Sequence, residues 1–330
     1  MEILAYGVQS DERPLLEAAL AAHRPRLLDV FLTADTAPLA TGYPVVSSSV
    51  NDELTAETLR LLAAGGTRLI AQRSTGFNNI DLDAAAELGL TVARVSYYSP
   101  YSVAEHAWTL ALAVNRRLIR SVNRAREFDF RLDGLMGRDI HGMTIGVLGT
   151  GKIGECFARI AAGFGTSLLG WDLTPNPECE ALGMRYVEKD ELLAHSDIVS
   201  LHVPLLDATH HLIDHAALAR MKDDAILVNS SRGGLVDAVA LVETLRAGRL
   251  AGVGLDVYEE EANVFFTDRS GQGIADDVLA RLISFPQVLV TSHQAYFTRT
   301  AVGQIIDATA RNIDDFTAGR TNENTLVPRS

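Results

Sequence analysis

The stretch TIGVLGTGKIG, Thr144 to Gly154, decides how this chain is read. A short apolar run leads straight into Gly149, Gly151 and Gly154, spaced G-x-G-x-x-G, and the helix-like segment ECFARIAAGFG follows. The apolar run suits a strand of a parallel sheet. The glycines suit a tight turn, close approach of backbone to a pyrophosphate, and close packing of helix on strand. Phosphate charge would sit at the helix N-terminus, where free N–H groups point outward. Alone the spacing is weak; between a strand and a helix it marks a dinucleotide-binding turn. Such a turn calls for an acidic residue at the end of the next strand, about 20 residues on. Asp172 stands there, in GWD. Its carboxylate suits adenosine ribose hydroxyls and repels a 2′-phosphate, and LTPNP after it holds no Arg or Lys, so NAD is expected over NADP.

Working outward, the turn opens a series of strand-like runs: TIGVLG, SLLGWD, DIVSLHV, AILVNSS, GVGLDV and VLVTSH, the last ending at His293. They predict a complete doubly wound domain. Upstream, EILAYG, PVVSS, RLIAQR and TVARV alternate with helix-like segments such as DELTAETLRLLAAGG, whose Leu54, Leu59 and Leu62 share one face. That alternation implies a second parallel sheet with crossover helices. After Pro100 a long helix-like run carries Ala104, Ala107, Leu110, Ala111 and Val114 as its buried stripe. Beyond His293 an amphipathic helix with Val302, Ile305, Thr309 and Ile313 on one stripe is too little for another domain, so it is expected to return to the first lobe. The predicted fold is α/β: two Rossmann-like or flavodoxin-like doubly wound lobes with an active-site cleft between them. Residues 1–99 plus 298–330 would form the substrate domain and 100–297 the NAD-binding domain.

Composition narrows the function. The chain has 330 residues, 47% hydrophobic, with a net charge of −13. That charge argues against nucleic acid and anionic membranes as partners. Its two cysteines, Cys156 and Cys179, have no metal or redox spacing, and the N-terminus reads as a strand rather than a signal peptide. A cytoplasmic protein is expected.

The carboxyl ends of successive strands are where open α/β sheets bind ligands. Arg232 follows AILVNSS, Asp256 and the run Glu259-Glu260-Glu261 follow GVGL, and His293 ends VLVTSH. Arg makes paired hydrogen bonds to a carboxylate. His transfers protons near neutral pH, and a neighbouring glutamate would orient it and keep its proton available. An Arg, an acid and a His on one rim beside a dinucleotide turn point to hydride transfer to a keto acid. The pair His210-His211 is adjacent rather than at i, i+4 spacing, so no metal site is expected.

The sequence also resembles the NAD-dependent D-isomer-specific 2-hydroxyacid dehydrogenases, and among them the bacterial fermentative D-lactate branch. The likeness runs essentially end to end through RSTGFNNIDLDAA, SPYSVAEH, GTGKIG, MKDDAILVNSSRGGLVD, GLDVYEEE, VFFTDRS and HQAYFT. The resemblance implies Arg232 as the carboxylate- and carbonyl-binding arginine and His293 as general acid/base. It places the catalytic glutamate five residues after Asp256, at Glu261. It implies cofactor contacts at Lys152, Ile153, Asp172, Val203, Pro204, Thr209, Ser230, Ser231 and Asp256, the last on the nicotinamide side. Backbone amides of Ser74, Thr75 and Gly76 would hold the substrate carboxylate, and Tyr98, Tyr101 and Tyr296 would wall the pocket. Glu259 and Glu260 are left with solvated or structural roles, and Glu105-His106 with interlobe packing or hydrogen bonding. The expected reaction is reduction of pyruvate to D-lactate by a homodimer or homotetramer, with the long helix after Pro100 as a candidate interface. Two alternatives stand: a dehydrogenase of a bulkier acid such as phenylpyruvate, or a non-catalytic, corepressor-like NAD sensor.

Overall fold

The structure is a computed structural model that describes residues 1–261 and 264–327. It divides into two compact units, Met1–Ser99 with Phe297–Ser330, and Pro100–Tyr296. Phe297 thus falls with the first unit. Among the described residues, no helix is long and apolar enough to cross a membrane.

The first unit carries strands β1 (Glu2–Ala5), β2 (Arg24–Leu27), β3 (Val45–Ser48), β4 (Leu69–Gln72) and β5 (Thr91–Ala93). The second carries β6 (Thr144–Leu148), β7 (Ser167–Trp171), β8 (Arg185–Tyr186), β9 (Ile198–Leu201), β10 (Ile226–Asn229), β11 (Gly252–Leu255) and β12 (Val288–Val290). A last strand, β13 (Thr325–Val327), returns to the first unit. The first sheet runs β13-β5-β4-β3-β1-β2, all parallel except for β13 against β5. Its β2-β1-β3-β4-β5 core has the flavodoxin-like order. The second sheet runs β12-β11-β10-β9-β6-β7-β8, all parallel. That is the dinucleotide-fold order extended by one strand, and it reverses between β6 and β9.

Three strands escape the sequence pattern: β2, β8 and β13. All lie at or next to sheet edges, where apolar runs are not needed. The sequence of β2 is RPRL, and Pro25 is tolerated there because an edge strand need not use every N–H.

Burial explains the rest. β3, β4, β9, β10 and β11 are buried at every position. In the first unit the helix Ala56–Ala64, capped by the Thr55 side chain, lays Leu59 and Leu62 into the core beside Leu54. The helix Arg299–Thr317 buries Val302, Ile305, Thr309 and Ile313 and packs on β4 and on the helix Arg13–Ala19.

The helix Pro100–Asn115 packs into the second unit's core, and the stripe from Ala104 to Val114 is buried. It lies close to the sheet because β11 offers glycines: a Cβ on Gly252 would come within 2.1 Å of Val114, and one on Gly254 within 2.9 Å of Leu110. The long helix expected here breaks at Arg117, whose φ is 50° and whose guanidinium donates to the Ala251 carbonyl at 2.6 Å. A second helix, Leu118–Arg126, follows with no buried residue.

Candidate functional site

Between β6 and the helix Lys152–Gly163 the chain turns through Gly149, with φ 92°. A Cβ on Gly149 would stand 2.6 Å from the carbonyl carbon of His202, and one on Gly154 would stand 1.9 Å from the Gly149 oxygen. Both positions require glycine to keep turn, helix and β9 in contact. Gly151 differs: it is the residue before the helix, and a Cβ there would meet no atom within 4 Å. Open space thus faces the free N–H groups of the helix, which is what a diphosphate needs. Lys152, exposed, and Ile153, half-buried, open that helix.

Asp172 holds the turn from the end of β7. Its Oδ2 accepts from the Thr150 N–H at 2.6 Å and from the Thr150 hydroxyl at 3.2 Å, and its Oδ1 accepts from the Leu173 N–H at 2.7 Å. A carboxylate has about four acceptor directions, so about one remains for a ribose hydroxyl. Tyr186 on β8 donates to the Thr150 hydroxyl at 2.8 Å, and the Asn176 side chain donates to the Thr150 carbonyl at 2.8 Å. Val203, after β9, is buried against Gly149, while Pro204 is exposed. The Thr209 hydroxyl bonds within its own loop: it donates to the Pro204 carbonyl at 2.7 Å and accepts from the Leu206 N–H at 2.8 Å. Ser231 donates to the Val203 carbonyl at 2.6 Å. Ser230 is buried, and among the described residues its hydroxyl has no partner. An orphaned hydroxyl and an open glycine turn together fit a bound dinucleotide.

At the ends of β10, β11 and β12 the remaining groups converge. Arg232 opens a short 3-10 turn, Gly233–Leu235, and its guanidinium donates to the Ser231 carbonyl at 2.7 Å. Its own carbonyl accepts from Asn229 at 2.8 Å. The next residue must be glycine, because a Cβ on Gly233 would lie 2.0 Å from the carbonyl carbon of Tyr258. The loop bearing Arg232 is thereby pressed onto the segment bearing the glutamates.

Among the three glutamates, Glu261 reaches His293: Nδ1 of the histidine lies 2.6 Å from Oε1. Its Oε2 accepts from the Tyr258 N–H at 3.0 Å. Glu259 turns elsewhere, to His211 at 2.6 Å. His293 itself sits at φ 53°, a left-handed conformation uncommon outside glycine. The ring of Phe266, from VFFTDRS, lies 6.3 Å from it between centroids. Sequence reasoning valued this loop but not this residue.

Asp256 explains how so strained a histidine is held. It is fully buried, and its oxygens accept from the Thr291 hydroxyl and from the N–H groups of Gln294 at 3.0 Å and Ala295 at 2.8 Å. His106 approaches it at 3.3 Å and Thr291 at 3.0 Å. The Asp256 carbonyl also accepts from the His293 N–H at 2.6 Å. Burial pushes its carboxyl up, but the bonds from His106, Thr291 and Ala295 outweigh this and leave it below the usual carboxylate range. Sequence reasoning placed Asp256 at the cofactor; its role in bracing the 291–295 turn is visible only in three dimensions.

In the first unit Ser74, Thr75 and Gly76 follow β4. The Ser74 carbonyl accepts from the Val95 N–H at 3.1 Å, the Thr75 carbonyl from Arg94 at 2.8 Å, and the Gly76 carbonyl from the Ser74 hydroxyl at 2.6 Å. Tyr98, next to the end of that unit's first segment, is half-buried. In the second unit Tyr101 is exposed on the helix Pro100–Asn115, and Tyr296 is half-buried three residues after His293.

Known proteins resemble this chain in sequence and in fold. The family model of the D-isomer specific 2-hydroxyacid dehydrogenase NAD binding domain matches residues 108–295. A 2-hydroxyacid dehydrogenase homolog of Schizosaccharomyces pombe is 48% identical over 297 residues, covering 90% of each chain. A D-lactate dehydrogenase of Escherichia coli is 44% identical over 329 residues, covering 99% of this chain and 100% of its own. The structure of a pyruvate reductase of Chlamydomonas reinhardtii superposes with a TM-score of 0.93 at 41% identity, covering 98% of each chain.

Proposed function

The chain belongs to the D-isomer-specific 2-hydroxyacid dehydrogenases, NAD-dependent oxidoreductases, and on that premise we propose that it interconverts pyruvate and D-lactate. The observation that carries the reading is the 2.6 Å contact between His293 Nδ1 and Glu261. With Nδ1 donating to the carboxylate, Nε2 is the nitrogen left to face substrate, and ring and tautomer are fixed together. Arg232 would fork onto the substrate carboxylate and polarise the carbonyl, since one bond to Ser231 uses only one of its five donors. Ser74, Thr75 and Gly76, in the first unit, are proposed as substrate-binding residues through their backbone amides. In the reducing direction His293 Nε2 would give its proton to the carbonyl oxygen as negative charge develops there. Gly149, Gly151, Lys152, Ile153, Gly154, Asp172, Val203, Pro204, Ser230 and Ser231 would hold the NAD, with Asp256 near its nicotinamide end. When bound, the cofactor supplies or accepts the hydride.

A homodimer or homotetramer is proposed on a different observation. After the break at Arg117, Leu118, Ile119 and Val122 are exposed, and Phe128, Phe130, Leu132 and Met136 are between 74% and 91% exposed. Such a stretch of large apolar side chains is suited to a second copy of the chain.

The test is a panel of pyruvate, 2-ketobutyrate and phenylpyruvate assayed with NADH. Pyruvate should give the highest kcat/KM and D-lactate as product. A kcat/KM for pyruvate well below the others would shift the assignment to a bulkier acid. No NADH oxidation with any of the three would leave a nucleotide-binding protein without this activity.

A further inference from the structure

We infer that His210, His211 and Glu259 form a site for a divalent cation of borderline softness, with Zn²⁺ the probe that fits best. The inference is independent of the reaction proposed above. Among the described residues these three side chains bring their ligating atoms within 4.8 Å of one another. His211 Nε2 lies 2.6 Å and His210 Nε2 3.5 Å from the same oxygen, Oε1 of Glu259. Two adjacent residues in a regular strand or helix point apart and could not share a ligand. Here they do not, because His211 adopts φ 50° and its ring stacks on that of His210, 4.0 Å between centroids and 25° between planes. Both backbone N–H groups are tied down, that of His210 to Leu206 and that of His211 to Gly234, each at 2.8 Å. A left-handed non-glycine residue persists only where its surroundings over-determine it, and such residues cluster at functional sites.

The surroundings also suit a cation. Asp237 Oδ2 lies 4.0 Å from His211 Nδ1, the nitrogen on the far side of the ring. That carboxylate stands beyond hydrogen-bond reach, and its negative charge adds to the attraction for a cation there. Asp237 cannot drift away, because its Oδ1 caps the next helix through the Ala240 N–H at 2.9 Å. Two imidazoles and one carboxylate are a Zn²⁺ donor set that leaves a fourth position for water. Mg²⁺ and Ca²⁺, which prefer oxygen ligands, are disfavoured by the two nitrogens. His210 is 54% exposed in its side chain, so the site opens to solvent. A bound ion would tie the loop after β9 to the segment after β11, two residues before Glu261.

The experiment is calorimetric titration of Zn²⁺ into the chelator-stripped, dialysed protein near neutral pH. One equivalent should bind, and the affinity should fall about tenfold or more in His210→Gln, His211→Asn and Glu259→Gln. Asparagine is chosen at 211 because it tolerates the left-handed conformation, and the exposed His210→Gln tests the site with least risk to the fold. His293→Gln should bind Zn²⁺ as the native protein does. Absence of binding to the native protein overturns the inference. So does binding that survives all three substitutions, or binding lost in His293→Gln, which would place the ion at the other histidine–glutamate pair.

Discussion

Nδ1 of His293 and Oε1 of Glu261 stand 2.6 Å apart, although the residues come from the ends of different strands. The contact separates the three glutamates. His293→Gln should lower kcat for pyruvate reduction by roughly 10²–10⁴-fold. Glu261→Gln should lower it by about 10–100-fold and alter its pH dependence, because the imidazole loses the group that orients it. Glu260→Gln should do little. Equal effects at 260 and 261 in steady-state assays across pH would refute the assignment.

Arg232→Lys keeps the charge and loses the fork. A charge-assisted hydrogen bond is worth about 1.5–3 kcal/mol, so kcat/KM should fall roughly 10–100-fold, with KM rising. NADH affinity should change little. A variant with native KM for pyruvate would show that this guanidinium does not hold the substrate.

Gly154→Ala tests the turn. Its new methyl would overlap the Gly149 carbonyl, 1.9 Å away, so helix and turn must separate. Overpacking of this kind costs about 1–3 kcal/mol. NADH binding, followed by fluorescence titration, should weaken by about tenfold or more. Gly151→Ala meets no protein atom, so any loss of NADH affinity there would report on the ligand's own space. Native affinity in Gly154→Ala would contradict the close approach.

His202 sets an acid limit on stability. Its ring lies 4.9 Å from that of Phe157, Ser200 contacts its Nε2 at 2.9 Å, and burial pulls it from the ordinary 6.5 to about 3. Between those values the unfolded chain binds the extra proton, so stability should fall as pH drops below about 6.5, by at most about 1.4 kcal/mol per pH unit. Asp256, held below the usual carboxylate range, stabilises above that range and loses its contribution at still lower pH. Melting temperatures from pH 7 to 4.5 should slope less in His202→Gln than in the native protein. Identical slopes would remove His202 as the cause.

What could be read in the sequence and what could not have a common physical basis. β6 and its glycines were legible because a fully buried parallel strand needs an unbroken apolar run and a tight turn needs glycine. β2, β8 and β13 were not, because edge strands carry little of that pattern. The family resemblance, which sets the glutamate five residues after Asp256, singled out Glu261, the glutamate that the structure bonds to His293. Nothing in the sequence could pair Glu259 with His211, since that contact depends on how two loops pack. The left-handed backbone of His293 and the buried bonds of Asp256 were equally hidden, for neither residue type advertises them. The helix break at Arg117 was missed because arginine is a good helix former and its guanidinium is tied to a distant carbonyl.

The division of the chain has a consequence for its synthesis. The second unit is one uninterrupted segment, Pro100–Tyr296, whereas the first needs the helix Arg299–Thr317 and β13 to cover it. On the ribosome the unit begun first is therefore finished last. At roughly 5–20 residues per second, β1 to β5 wait tens of seconds for the helix that packs on β4. The nascent first unit is thus the stage at which its apolar core stands longest without the helix that packs on it.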